Sequence, residues 1–187
     1  MIAPTLKTKN IVIRAFEKKD LESFVEYRAQ EEVARYQSWS DYSYQDALEL
    51  FEGMDYSTFG EPENWYQMAI SLQGSDKLIG DLAVHFIDQE QVEIGFTVSP
   101  QYQGNNIATN AVSCFLCYLF DELNKHRVIA TTDVKNIASY SLLEKLGFRR
   151  EAHLVQNIFF KGEWGDEYQY GLLHSEHKLI NSLVSLD

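Results

Sequence analysis

The segment Gln101-Tyr102-Gln103-Gly104-Asn105-Asn106 carries the residues whose types and spacing point most directly to chemistry. Its one glycine and two asparagines lie between two patterned segments. Before it, residues 92–98 place Val92, Ile94, Phe96 and Val98 on one face with a period of two. After it, Ile107, Ala111, Cys114, Phe115, Tyr118 and Leu119 recur at helical spacing. A strand, a glycine turn and a helix start leave backbone N–H groups free at the positive end of a helix dipole, which is a site for an anion such as phosphate. No Gly-Lys-Ser/Thr follows Gly104 and no G-x-G-x-x-G is present, so neither the triphosphate loop nor the dinucleotide fingerprint applies. The same arrangement is also ordinary α/β architecture, and it gains a function only beside a second motif.

The flanking elements read as one α/β chain. Residues 11–16 form a first strand, and Asp20 opens a helix with Leu21, Phe24, Val25 and Ala29 on one face. Residues 36–66 are rich in aromatics, which either pack or line an acceptor pocket; within them Ser43 and Asp46 have the spacing of a capping box ahead of the stripe Tyr44, Ala47, Leu48, Phe51. Three period-two segments follow, 65–72, 78–87 and 92–98, joined by short turns, which is an antiparallel meander. The helix after Gly104 runs to about Lys125, and residues 127–133 form a strand that a right-handed crossover sets parallel to 92–98. A short helix over 138–146 stops at Gly147. A closing hairpin turns around residues 161–166, and Leu179, Ile180 and Leu183 mark a last amphipathic turn.

The 187 residues fit one domain, with a core over about 6–173 and a tail over 174–187. With 45% hydrophobic residues the composition is that of a folded chain. No apolar run approaches the ~18 residues that span a bilayer, and the first residues lack the apolar stretch of a signal peptide, so a cytoplasmic location and no membrane partner are expected. A net charge of −12 leaves no basic footprint for nucleic acid; acidic solubility accounts for it, and it is also compatible with a cationic acceptor such as an amine. Cys114 and Cys117 have C-x-x-C spacing, but they fall mid-helix, no second pair completes a zinc site, and no His/Asp/Glu cluster at ligand spacing accompanies them. They are expected to be reduced helix residues, and no metal is expected.

The second motif is Asn136-Ile137-Ala138-Ser139-Tyr140-Ser141-Leu142-Leu143-Glu144-Lys145-Leu146-Gly147-Phe148. It resembles the N-x-x-S/A…L-G-F block of the GNAT N-acetyltransferases, and Gln101–Asn106 resembles the Q/R-x-x-G-x-G/A loop of the same family, with Asn106 in place of the second Gly/Ala. Asn tolerates positive φ better than most residues, so the loop can still form. Arg14 with Asp20, Glu93-Ile94-Gly95-Phe96 and Gly162-Glu163-Trp164-Gly165-Asp166 resemble the RimJ/RimL-like branch. The resemblance implies a mixed, mostly antiparallel, splayed sheet with helices on both faces. It implies acetyl-CoA as co-substrate, lying between the two parallel strands, and an amine acceptor. Monomer and homodimer both remain open.

Acetyl transfer to an amine needs a base for the amine, donors for the charge developing on oxygen, and a proton for the leaving thiolate. The resemblance places the oxyanion donor at a backbone N–H near Thr97, at a strand bulge, with Phe96, Thr97 and Val98 along the pantetheine arm. Gln103, Gly104, Asn105, Asn106, Ile107 and Ala108 would surround the pyrophosphate, and Asn136 would bond the pantetheine amides. The family's Tyr acid falls at Leu143, which has no proton to give; Ser139 matches the serine proposed for that task in RimL-like enzymes. Its other reading is a first-turn helix residue bonded to backbone. Glu93 matches a strand carboxylate used as base in related enzymes, and its other reading is a solvated strand residue; Asp81, His85 and Glu163 are alternatives. Two rival functions are a non-catalytic CoA-binding sensory or scaffold module and an acyltransferase for longer acyl groups.

Overall fold

The computed structural model describes residues 2–178, so the amphipathic turn expected at Leu179, Ile180 and Leu183 lies outside the described residues. Eight strands form one sheet in the order β1-β2-β3-β4-β5-β6-β8-β7. β1 (Leu6–Lys7), β2 (Ile11–Ala15), β3 (Asn64–Leu72), β4 (Leu78–Phe86) and β5 (Gln91–Val98) are an antiparallel run. β6 (Arg127–Asp133) joins β5 in parallel, and β8 (Glu163–Leu173) lies between β6 and β7 (Arg149–Phe160), antiparallel to both. Among the described residues no helix is long and apolar enough to cross a membrane.

Helices cover both faces, as the sequence resemblance implied. α1 (Leu21–Arg28), α2 (Glu31–Ala34) and α3 (Tyr44–Glu52) enter between β2 and β3. Phe24, Tyr27, Ala47, Ala69 and Leu78 build a small core on that face. α4 (Ile107–Cys117) makes the β5–β6 crossover, and α5 (Ile137–Lys145) precedes β7. Phe115, Leu119 and Leu143 pack with Ile70, Val92 and Ile94 in the larger core on the other face. The alternation along β5 produces both faces at once: Val92, Ile94 and Val98 are buried while Glu93, Gly95 and Thr97 face the other way.

Several local expectations change. α1 buries Tyr27 and Arg28, and Ala29 is exposed, because the inward stripe follows the buried partner of Arg28 described below. The Ser43–Asp46 capping box forms, but Tyr44 is exposed and Ala47, Leu48 and Phe51 face the core. The regular part of α4 ends at Cys117 and continues as a π turn over Tyr118–Glu122, closed by Leu123 N–H donating to the Tyr118 carbonyl at 3.0 Å. The last hairpin turns on Lys161 and Gly162 alone, with φ of 53° and 82°, so Trp164, Gly165 and Asp166 belong to β8.

Gly80 sits where β4 and β5 come closest. A Cβ there would lie 2.5 Å from the Thr97 carbonyl oxygen and 3.1 Å from the Val98 Cα. Both are backbone atoms of a paired strand and cannot move aside without shifting β5. We expect Gly80→Ala to cost about 1–3 kcal/mol of stability, the range for overpacking, read as a lower urea midpoint; an unchanged midpoint would contradict the close approach.

Candidate active site

β5 and β6 pair only from Gln91↔Arg127 to Glu93↔Ile129, and then part. The β4–β5 register shows which backbone groups this leaves open. It runs unbroken from Phe86↔Val92 to Gly80↔Val98, so the bulge expected at Thr97 is not there. Ile87 N–H bonds the Gln91 carbonyl and Ser99 N–H bonds the Ile79 carbonyl. In an antiparallel ladder bonded pairs alternate, so odd-numbered residues of β5, Thr97 included, turn N–H and C=O toward β4. The backbone groups facing the fork therefore belong to Phe96 and Val98, and the N–H expected of Thr97 is that of its neighbour Phe96. The Val98 carbonyl is already taken by the Gln103 side-chain amide at 3.0 Å.

At the wide end of the fork lies the Gly104 loop. Gly104 has φ +77 with no atom within 4 Å of where a Cβ would stand. Asn106 is left-handed, φ 57 and ψ 16, and serves as the N-cap position of α4. The departure from Gly/Ala is thus accommodated by a side chain that takes this conformation more readily than most. The first bond of α4 runs from Asn110 N–H to the Asn106 carbonyl, 2.9 Å, which leaves the N–H groups of Ile107, Ala108 and Thr109 ahead of the helical ladder. An open loop with those donors fits a phosphate-bearing ligand. Gln103, Gly104, Asn106, Ile107 and Ala108 line one cavity with Phe96, Thr97, Val98, Asn136 and Ser139. Asn105 does not line it; its amide bonds the Tyr102 and Gln103 carbonyls at 3.3 and 3.1 Å and shapes the loop from behind.

A second cavity opens on the other face of the sheet, among Arg28, Asp81, Ala83, Thr131, Asp133 and Glu167. The two cavities share Tyr36, Gln37, Phe96, Thr97, Asn136 and Ser139. Asn136 caps α5, its Oδ1 accepting the Ser139 N–H at 3.2 Å. The Ser139 hydroxyl makes no hydrogen bond among the described residues, and the shared wall places it beside both cavities. Leu143 is buried and apolar at the edge of the second cavity. Tyr36 closes the roof, its hydroxyl donating to the Lys135 carbonyl at 3.3 Å.

The expected carboxylates are spread out. Glu93 is half-buried at the closed end of the fork, outside both cavity walls, with the Thr131 hydroxyl donating to its Oε1 at 3.4 Å and His85 Nδ1 3.7 Å from its Oε2. His85 stacks on Trp65, ring centroids 4.4 Å apart. Glu163 is exposed and paired with Lys135, away from the shared wall. Asp81 is buried and occupied: Tyr27, Gln67 and Arg28 all donate to it, Arg28 at 3.1 Å. Burial pushes the Tyr27 hydroxyl well above its ordinary range, so it stays protonated as a donor. Burial, the largest single effect, pulls the Arg28 guanidinium down, but the charge and hydrogen bond of Asp81 together with the neighbouring Tyr27 and Tyr42 outweigh it and the net direction is up. The guanidinium is caged by Phe24, Trp39 and Tyr42 at 4.1, 4.5 and 5.3 Å. Arg14 and Asp20 form a similar buried bidentate pair, 2.7 and 2.9 Å, and are structural.

Arg28, Thr131, Asp133 and Glu167 were not among the sequence candidates, whereas Tyr36 is one of the 36–66 aromatics for which pocket lining was one of two readings. Thr131 and Asp133 had a signal, since ligands gather outside the carboxyl ends of parallel strands. Arg28 had one too, as the cation on an otherwise apolar helix stripe. Elsewhere, the structure overturns the expectation that no ligand cluster accompanies the cysteines: Asp121 and His177 lie beside Cys117.

Comparison with known proteins agrees with this geometry. A family model described as "Acetyltransferase (GNAT) domain" matches residues 10–149. An uncharacterized N-acetyltransferase, YnaD, of Bacillus subtilis is 33% identical over 172 residues, covering 91% of this chain and 98% of the relative. A spermidine N(1)-acetyltransferase of Vibrio cholerae serotype O1 is 24% identical over 167 residues, covering 89% of this chain and 95% of the relative. Among solved structures, an acetyltransferase (GNAT family) from Bacillus anthracis superposes with a TM-score of 0.83 at 30% identity, covering 92% of this chain and all (100%) of that one. The fold also matches a Vibrio cholerae spermidine N-acetyltransferase in complex with CoA and spermine, TM-score 0.78 at 22% identity, over 91% and 99% of the two chains.

The Arg28–Asp81 pair underlies the second cavity, and removing one partner strands a buried charge. Asp81→Ala is expected to cost about 3–5 kcal/mol, with Arg28→Met and Asp81→Leu together recovering much of it. Chemical denaturation reads both, and a loss below about 1 kcal/mol for the single variant would show the pair to be solvated.

Proposed function

The chain belongs to the GNAT acetyltransferase family, and on that premise we propose that it transfers an acetyl group from acetyl-CoA to a cationic primary amine entering the second cavity past the paired Asp133 and Glu167. The observation that carries this reading is the shared wall. A phosphate-bearing ligand on one side of the sheet and an acceptor on the other would meet at Phe96, Asn136 and Ser139. Asp133 and Glu167 favour a positively charged acceptor: a peptide N-terminus, a polyamine or a smaller amine. The CoA and spermine complex of the Vibrio cholerae structure supports an amine, and the choice among amines stays a proposal. The RimJ/RimL-like pattern rests here on structural features, the buried Arg14–Asp20 pair and the β7–β8 turn, and it does not choose a peptide terminus over a polyamine. The net charge of −12 argues against a nucleic-acid partner, and two free, half-buried thiols favour a reducing, cytoplasmic setting.

Acetyl-CoA supplies the activated acyl group. The chain's own residues supply the rest. Glu93 takes the amine's proton, through water or the Thr131 hydroxyl that already bonds it. The Phe96 N–H, held in the fork by the β4 ladder, donates to the oxygen on which charge develops. The Ser139 hydroxyl gives a proton to the departing sulfur, in place of the tyrosine whose position Leu143 fills. Attack is direct, so neither cysteine is acylated, and no step calls for a metal.

Three variants separate these roles. Gly104→Asp places a side chain and a negative charge where phosphate must approach, and should weaken CoA binding by at least about tenfold, roughly 1.4 kcal/mol; unchanged affinity in the folded variant would sink the phosphate site. Glu93→Gln keeps shape and removes basicity. It should lower kcat/KM by roughly 10²-fold or more and flatten the acid limb of the pH profile, whereas near-full turnover at every pH would place the base elsewhere. Ser139→Ala should lower kcat with little change in acetyl-CoA affinity, because a leaving thiolate needs its donor only as the bond breaks. Measured across acetyl-, propionyl- and succinyl-CoA, the same assays read acyl-chain preference.

A further inference from the structure

The far end of α4 holds a cluster that acetyl transfer does not use. Cys117 and Asp121 are four residues apart, the second carried on the π turn over Tyr118–Glu122. A π turn inside a helix is rare and often marks a functional position. After β8 the chain enters a helical turn over 174–178, which presents His174 and His177 three residues apart. The Cys117 Sγ lies 3.8 Å from His177 Nε2, and His174 Nε2 lies 3.8 Å from Asp121 Oδ1. One ligand atom each from Cys117, Asp121 and His177 fall within 4.8 Å of one another.

We propose that Cys117, Asp121, His177 and His174 bind a zinc-like divalent transition ion, which staples the 174–178 turn to the end of α4. The donor set is one thiolate, two imidazoles and a carboxylate, the ligand types that zinc prefers. With metal–ligand bonds of about 2.0–2.3 Å, tetrahedral ligand atoms stand roughly 3.3–3.7 Å apart. The Cys117–His177 and Asp121–His174 gaps of 3.8 Å are already close to that, and the Cys117, Asp121 and His177 atoms, which lie within 4.8 Å of one another, must draw in by up to about 1 Å. A separate observation points the same way: His174 Nε2 is buried and makes no hydrogen bond among the described residues. Buried polar atoms are rarely left so, and a ligand is one of the things that explain them. The two imidazoles are held in place by Phe120, whose ring centroid is 5.3 Å from His174 and 4.9 Å from His177. Asp121 is half exposed and gives the ion a way in.

Binding converts the Cys117 thiol to thiolate and releases its proton to solvent. The site is a full α4 length, ~16 Å at 1.5 Å per residue, from the Gly104 loop, so its role is to fix the C-terminal turn and not to take part in transfer.

The test uses the full chain, stripped with chelator, desalted and titrated with Co²⁺. One equivalent should produce thiolate-to-cobalt charge-transfer absorption together with the intense visible bands of a tetrahedral ion, and Zn²⁺ should displace it and raise Tm. Cys117→Ser should abolish the charge-transfer band, and His177→Ala or His174→Gln should weaken binding by roughly tenfold or more. Cys114→Ser, one turn back on the same helix, should leave the spectrum intact. Circular dichroism reports whether each variant is folded, and Asp121→Asn, at the exposed ligand, stands in if Cys117→Ser is not. The absence of saturable bands in the unaltered chain, or bands that survive Cys117→Ser or vanish with Cys114→Ser, would overturn the site.

Discussion

The rest of the structure depends on the parting of β5 from β6. Each strand is held on its outer side, β5 by β4 along its whole length and β6 by β8 from Arg127↔Leu173 to Asp133↔Glu167. On the inner side they share three pairs and then diverge. Backbone polar groups cannot be left unsatisfied in a protein interior, so the inner edges beyond Glu93 must meet water or a ligand. A flexible chain carrying amides can extend either ladder, and a strand-like fork of this kind accepts it edge on. The Gly104 loop and the start of α4 stand at its mouth, so one feature supplies both the cleft and the anion site.

The second cavity rests on a different constraint. Asp81 and Arg28 are charges with almost no contact with water, and each is tolerable only because the other is there. Tyr27 and Gln67 complete the carboxylate, and three aromatic rings enclose the guanidinium. The pair cancels itself, which leaves Asp133 and Glu167 to set the sign of the field an acceptor meets. A carboxylate committed to three donors is a poor candidate for a base. Glu93, whose carboxylate has the Thr131 hydroxyl and His85 as its polar partners among the described residues, is the more available one.

Much of the fold was legible because strand alternation is local. The segments 65–72, 78–87 and 92–98 became β3, β4 and β5 with ends displaced by a residue at most. The Gly104 loop was legible for the same reason, since the special backbone at Gly104 and Asn106 is written in those two residue types. What could not be read depends on partners far away in sequence. Whether Thr97 or Phe96 turns its N–H into the fork is set by the register with β4, which one strand's side-chain pattern does not contain. The inward turn of Arg28 answers to Asp81, and Asp121 meets His174 and Cys117 meets His177 only after the whole sheet has formed. β1, at two residues, is too short to show any period.

In the proposed complex the fork holds acetyl-CoA through the backbone edge of β5. Amide hydrogen exchange, resolved by residue and recorded with and without acetyl-CoA, tests this. Phe96, Val98 and the amides of 107–109 are expected to become protected on binding, while Thr97, already in the β4 ladder, changes little. Acetyl-CoA binding that left Phe96 and Val98 exchanging as before would contradict that binding mode.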